Sequence, residues 1–364
     1  MTQVKESLLG TAEVQTVTWP HRVAIIGAGY MGRGIAEVLA LANVSCSLAD
    51  LTPERAGSAA RTLFTEAERH ERDGLIAPGS ALALRDRVRA ARSVEDATSG
   101  ADYVIEAVYE DSELKASLLA EIDSISHTDV VISTNTSAIS IQSLSRRLAD
   151  PTRFLGVHWF NPPQFVPGVE VVPCTQTTRE VTQKVKTLLL QVGKMPVEVM
   201  DSPGFVANRL QYALFQEAAA VVEEGTATAE AVDLIVRTTF GFRLPIFGPF
   251  AIADIAGLDV YRNAYKILQE NFPDRFKVPR ALEKLVEQGR YGAKTGSGFV
   301  INSTAQAQAM AARRDRSYVA LRRALGGADG LPETSNRDAR AGTGNDTSGT
   351  TPRTDNIGEP VDSQ

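Results

Sequence analysis

The sequence predicts an α/β chain: a domain built on parallel strands, followed by an all-α domain. Three observations predict it. From residue 22 to about 200, short apolar runs alternate with amphipathic stretches, the rhythm of repeated strand–helix units. The first of these runs closes on a glycine-rich turn that opens a helix, and the second ends on an acid. After residue 201 strand-type runs stop and only helical periodicity continues. The expected boundaries are a loose polar arm at 1–20, the α/β domain at 21–200, the helical domain at 201–325 and a disordered tail at 326–364. The tail is read from its Gly, Ser, Thr, Asp, Asn and Pro content, which cannot bury enough surface to offset the entropy of ordering.

Arg22-Val-Ala-Ile-Ile-Gly27 reads as a buried strand, and Gly27-Ala-Gly29-Tyr-Met-Gly32 follows at once. Helical spacing continues through Ile35, Val38, Leu39 and Ala42, and Val44 to Asp50 is a second strand. This is the context a G-x-G-x-x-G needs to bind a dinucleotide. Gly27 permits the tight turn, Gly29 lets a pyrophosphate approach backbone amides at the helix N-terminus, and Gly32 lets the helix lie close to the strand. Asp50 is placed to bond the ribose hydroxyls and to repel a 2′-phosphate, which favours NAD over NADP. The reading is therefore a Rossmann-type domain with NAD as cofactor.

Leu51 to Arg92 reads as a helical excursion interrupted at Asp73-Gly74 and Pro78-Gly79. Ala101 to Glu110 is another strand, with Glu106 and Glu110 toward its end, and Asp111 to Ile122 is a helix carrying Lys115. Asp129 to Ser137 is a strand running into a small-polar turn, which puts Asn135 and Ser137 at the carboxyl edge where such sheets bind ligands. Each of these polar residues also reads as an ordinary cap or turn residue.

Gly156 to Phe160 and Val169 to Val172 are β-branched and aromatic runs, separated by Asn161, Pro162, Pro163, Pro167 and Gly168, all turn formers. If the two run antiparallel about Gln164, His158 and Glu170 each lie six residues from it and face one another. An imidazole held by a carboxylate is a general acid/base arrangement. A buried histidine satisfied by its neighbours is the plainer reading of the same pattern. A helix (179–192) and a strand (195–199) follow, then Asp201-Ser-Pro-Gly-Phe-Val-Ala-Asn208-Arg and helices at 210–224, 228–239, 249–256, 261–271 and 279–288. Tyr291-Gly-Ala-Lys294-Thr-Gly-Ser-Gly-Phe299 is a glycine-rich basic loop.

The 364 residues suffice for two domains, and 43% hydrophobic with 23% charged residues is ordinary for a globular chain. A net charge of −6 argues against nucleic acid or an anionic membrane as main partner, is consistent with a small-molecule substrate and leaves room for a local basic patch for a phosphate. Cys46 and Cys174 read as small buried residues of a reducing compartment. With neither a membrane-length apolar run nor a secretory pattern, a cytoplasmic location is expected. No metal-ligand set is expected.

Taken together, Gly27-Ala-Gly29-Tyr-Met-Gly32, Ser133-Thr-Asn135-Thr-Ser137, His158-Trp-Phe-Asn161-Pro, Val169-Glu170-Val-Val, Asp201 to Arg209 and Gly292 to Phe299 resemble the 3-hydroxyacyl-CoA dehydrogenase family over roughly residues 22–300. The resemblance implies NAD-dependent oxidation of an L-3-hydroxyacyl-CoA, as in fatty-acid metabolism. It implies His158 as general acid/base oriented by Glu170, with Ser137 and Asn208 at the substrate. Asp50, Glu110, Lys115, Ser137, Asn161 and Lys294 are implied at the cofactor, and the helical domain is implied to hold the substrate and a homodimer interface.

The excursion departs from the acyl-CoA enzymes. Their CoA-facing lysine falls on Asp73 here, and their serine near Thr65 or Glu66, with Arg69 and Arg72 the neighbouring cations. An acid at a phosphate-facing place is unfavourable. Relatives that act on free hydroxy acids, such as the carnitine and gulonate dehydrogenases, vary in the 162–168 stretch too. The same chemistry on a CoA-free 3-hydroxy acid is therefore the second reading, and a non-catalytic, crystallin-like NADH-binding protein the third.

Overall fold

The computed structural model describes residues 17–326. Most of the expected arm and all but Gly326 of the expected tail lie outside them. The first eight elements are β1 (Arg22–Ile26), α1 (Tyr30–Leu41), β2 (Ser45–Ala49), α2 (Pro53–Arg72), α3 (Ser80–Arg87), β3 (Val88–Ala90), α4 (Val94–Thr98) and β4 (Tyr103–Glu106). Next come α5 (Ser112–Ile125), β5 (Val131–Thr134), α6 (Ile141–Ser145), β6 (Phe154–Trp159), β7 (Gly168–Pro173), α7 (Arg179–Gln191) and β8 (Met195–Glu198). Seven helices complete the described chain: α8 (Ala207–Glu223), α9 (Ala229–Thr238), α10 (Phe240–Arg243), α11 (Pro249–Ala256), α12 (Leu258–Asn271), α13 (Arg280–Glu287) and α14 (Thr304–Leu325).

The eight strands form one sheet in the order β3-β2-β1-β4-β5-β6-β7-β8. All neighbours are parallel except β6 and β7, which are antiparallel. The first six places follow the doubly wound dinucleotide-binding order, whose direction reverses between β1 and β4. Alternation within β1 explains why its sequence is apolar throughout. Val23 and Ile25 enter one core with Leu39, Leu48 and Leu63, while Ala24 and Ile26 enter another with Val104, Leu119 and Ile132. A strand covered on both faces has no solvent side to be polar on.

Several elements were not legible in advance, the short helices α6 and α10 among them. The last part of the excursion is not helical: Val88–Ala90 pairs with Cys46–Leu48 as the edge strand β3, three residues being too short to show a period. Val94–Thr98 is a short helix capped by the Ser93 hydroxyl. Thr304–Leu325 is a 22-residue helix rich in Ala and Arg, whose propensity rather than any apolar stripe supports it. The strand expected to reach Glu110 ends at Glu106, because the chain folds back and the Val108 amide donates to Glu106 Oε1.

The chain divides into two compact units between Val236 and Arg237. The second has its own core of Ala253, Leu258, Leu282, Leu285 and Val286. Within it Asp254, fully buried, accepts backbone N–H groups from Phe299, Val300 and Ile301 at 2.8–2.9 Å and so fixes the glycine-rich loop.

Candidate active site

The glycine turn is built for a ligand. Gly27 has φ +103°, and a Cβ there would lie 2.5 Å from the Ala107 carbonyl group at the end of β4. A Cβ on Gly32 would overlap the Gly27 carbonyl oxygen, so α1 can start only without one. A Cβ on Gly29 would meet nothing within 4 Å. That open side belongs to a cavity of about 790 Å³ lined by Gly27, Gly29, Asp50, Ala107 and Val108 among others. Asp50, at the end of β2, accepts the Ala28 amide at 3.0 Å through Oδ2, which brings its carboxylate beside the turn. Open space at the helix N-terminus with a carboxylate alongside fits the pyrophosphate and ribose of NAD.

β6 and β7 put His158 opposite Glu170 in register, and the His158 Nδ1 to Glu170 Oε2 distance is 2.9 Å. Both residues are buried. The other oxygen, Glu170 Oε1, accepts the Val206 and Ala207 amides at 3.0 and 2.9 Å, where α8 begins. The carboxylate is thus fixed from two sides, in the way an N-terminal helix turn holds an anion. With Nδ1 engaged, Nε2 is the ring nitrogen available for proton transfer. The Phe160 and Phe205 rings lie 4.3 and 5.6 Å from the imidazole. Phe205 is completely buried at φ +47°, a conformation bulky residues rarely adopt.

Glu110 organises the β5 turn. Its Oε1 accepts the Thr136 hydroxyl at 2.5 Å and the Ser137 and Ala138 amides at 2.8 and 3.1 Å. Burial pushes this carboxyl up, but the bonds from Thr136 and Ser137, the Lys115 charge and the Ala138 amide together hold it below the usual range. The Ser137 carbonyl in turn accepts Asn208 Nδ2 at 2.8 Å, so the two expected substrate-contacting residues are neighbours. Asn135 Oδ1 accepts the Trp159 amide at 2.9 Å, tying the end of β5 to the His158 strand.

Lys115 is fully buried with its ammonium on Glu106 Oε1 at 2.8 Å, on the Val108 carbonyl at 3.1 Å and 3.5 Å from Glu110. Glu106 also accepts the Thr134 hydroxyl at 2.5 Å. Asn161 is exposed just past β6. Lys294 lies in the second unit, where both Asp259 oxygens accept its Nζ at 2.8 Å. Sequence reasoning noticed Glu106 only as a strand-end acid and missed three links altogether: Glu106 with Lys115, Glu170 with the α8 amides, and Asp50 with Arg55. Each joins residues by tertiary proximity, which spacing does not encode. Among the described residues no cluster of His, Cys, Asp and Glu could hold a metal ion, and no helix is long and apolar enough to cross a membrane.

Both parts of the chain match known proteins. The family model for the 3-hydroxyacyl-CoA dehydrogenase NAD-binding domain matches residues 22–202, and that for the C-terminal domain of the same family matches 204–302. The chain is 36% identical over 310 residues to 5-formyl-3-hydroxy-2-methylpyridine 4-carboxylate 5-dehydrogenase of Mesorhizobium japonicum, covering 84% of this chain and 99% of that one. Among solved structures, 3-hydroxyacyl-CoA dehydrogenase from Archaeoglobus fulgidus is 30% identical with a TM-score of 0.67, covering 83% of this chain and 100% of that one. (S)-3-hydroxybutyryl-CoA dehydrogenase from Ralstonia eutropha is 33% identical with a TM-score of 0.58, covering 78% and 99%.

Proposed function

The chain belongs to the 3-hydroxyacyl-CoA dehydrogenase family and is an NAD-dependent dehydrogenase, and from that premise we propose that it interconverts an L-3-hydroxyacyl-CoA and the 3-oxoacyl-CoA through a His158–Glu170 acid/base dyad. The observation that carries the proposal is the 2.9 Å contact between His158 Nδ1 and Glu170, which leaves Nε2 for the substrate. NAD, when bound, supplies the hydride acceptor. In oxidation His158 Nε2 takes the proton of the 3-hydroxyl, and in reduction it returns a proton to the ketone oxygen. Glu170 keeps the ring in one tautomer and stabilises the imidazolium, its other oxygen held by two helix amides. The second N–H of the Asn208 amide and the Ser137 hydroxyl hydrogen-bond the reacting oxygen or the thioester carbonyl. Asp50 holds the ribose, and Asn161 contacts the cofactor. Lys115 acts through Glu106 and Glu110, as a positioning residue for the turn that carries Ser137.

A CoA-free acid is a second reading, and a specific observation favours it. On α2, around the place where acyl-CoA enzymes carry cations for the nucleotide, Glu66 approaches Arg33 at 3.4 Å and Glu68 pairs with Arg85 at 2.6 Å. Glu71 caps the Gly79 and Ala81 amides, and Asp73 closes the helix. The acids Glu66, Glu68 and Glu71 are thus engaged internally, and the Mesorhizobium relative is named for a pyridine carboxylate.

Partner and setting follow from the same reading. α8 carries Leu210, Tyr212, Leu214 and Phe215 exposed and has no buried residue in one copy, which supports a homodimer through the helical region after residue 201. A 3-hydroxyacyl-CoA substrate sets the enzyme in fatty-acid breakdown in the cytoplasm. The test is NADH oxidation measured side by side with acetoacetyl-CoA, longer 3-oxoacyl-CoAs and CoA-free 3-oxo acids. Turnover of the thioesters alone supports the first reading. Turnover of free acids with indifference to CoA replaces it with the second, and no turnover of any 3-oxo compound overturns both.

A further inference from the structure

Asp50 does not stand alone at the nucleotide pocket. Its Oδ1 accepts the Leu51 amide at 2.8 Å and also Arg55 Nε at 2.7 Å. Arg55 sits in the first turn of α2, with 64% of its side chain exposed against 14% for Asp50. Its terminal nitrogens donate to no group among the described residues. Asp50, Arg55 and Arg92 all line the same cavity, and Arg92 keeps 88% of its side chain in solvent, 3.8 Å from Asp96. Two acids, Glu95 and Glu121, line it farther along the chain.

An NAD-only site needs an acid at the ribose and has no use for a guanidinium on that acid. The carboxylate that would accept the 2′-hydroxyl is here in direct contact with the fork-shaped cation best suited to a phosphate monoester. A 2′-phosphate at that hydroxyl would meet the Asp50 charge and the Arg55 charge at similar range, so repulsion and attraction oppose each other. Removing either one leaves the other in command.

We propose that Arg55 forms a subsite for a ribose 2′-phosphate that Asp50 holds in check, so that the choice between NAD and NADP is set by the Asp50–Arg55 pair and not by Asp50 alone. Arg92 is the second cation of that subsite. The inference rests on Asp50 being the ribose acid.

Calorimetric binding of 5′-AMP and of 2′,5′-ADP tests it without reference to turnover. The two probes differ only by the 2′-phosphate. In the intact protein, Arg55→Ala should weaken 2′,5′-ADP relative to 5′-AMP by about 10-fold or more, and Arg55→Lys should retain part of the difference. Asp50→Asn should strengthen 2′,5′-ADP relative to 5′-AMP by at least about 10-fold, and Asp50→Asn with Arg55→Ala should cancel that gain. A ratio that Arg55→Ala leaves unchanged in both backgrounds overturns the subsite, even where Asp50→Asn shifts it. A ratio unmoved by Asp50→Asn overturns the ribose role of Asp50 and, with it, the restraint.

Discussion

At His158 only one ring nitrogen, Nδ1, is engaged by Glu170. The other Glu170 oxygen is spent on the Val206 and Ala207 amides, so the orientation of the imidazole is inherited from the start of α8. Glu170→Ala therefore removes the ring's partner and a helix cap together. Turnover should fall by roughly 10²-fold or more. Amide exchange at Val206 and Ala207 should quicken, which a residue acting on the ring alone would not cause. Unchanged exchange with lost turnover would confine Glu170 to the chemistry. Cys46 is the opposite kind of residue: a buried residue of β2, with its thiol pushed up to about 12 by burial. Native protein should leave it unmodified by a thiol reagent at neutral pH, with reaction appearing only on denaturation. Rapid native labelling at Cys46 would contradict the packing.

Among elements, what the sequence makes legible is what local pattern encodes. The β1–turn–α1–β2 unit declares itself through glycine spacing and a terminal acid, and the β6–β7 hairpin through two β-branched runs about a proline-rich centre, down to the His158–Glu170 register. Edge strand β3 and helix α14 carry no such pattern, the first too short and the second held by propensity. Links across the sheet are illegible for another reason. Lys115 and Glu106 are nine residues apart, yet only the pairing of β4 with its neighbours and the packing of α5 bring them together in the interior. Lys115→Met should cost about 3–5 kcal/mol in denaturant unfolding, because it strands the buried Glu106 carboxylate. A loss under about 1 kcal/mol would mean that Glu106 is satisfied by Thr134 and Val108 without it. Beside it, on β1, whose Ile26 pairs with Glu106, the turn is as tightly set: Gly32→Ala should cost about 1–3 kcal/mol and weaken NADH binding, since the new Cβ meets main chain that cannot yield. Normal NADH affinity in that variant would show that α1 can start elsewhere.

For the molecule as a whole, stability against pH should fall off on both sides. Glu110 has a folded pKa below its ordinary value, so its contribution is present above the unfolded pKa and is lost as pH falls through the lowered one. Cys46 has a folded pKa above its ordinary 9.0, so its contribution is complete below about 9 and is lost as pH rises toward about 12. Cys46→Ala should flatten the alkaline limb of a melting-temperature profile, and an unaltered limb would assign it to other groups. The central claim concerns the assembled enzyme: that His158 moves the proton while the rest of the fold binds the cofactor. Its direct measurement is NADH-dependent reduction by wild type and His158→Gln, on whichever 3-oxo substrate the wild type turns over, alongside NADH binding by both. Loss of roughly 10²–10⁴-fold in turnover with NADH affinity held within about 2-fold is the predicted result. Turnover within about 3-fold of wild type would remove His158 from the mechanism.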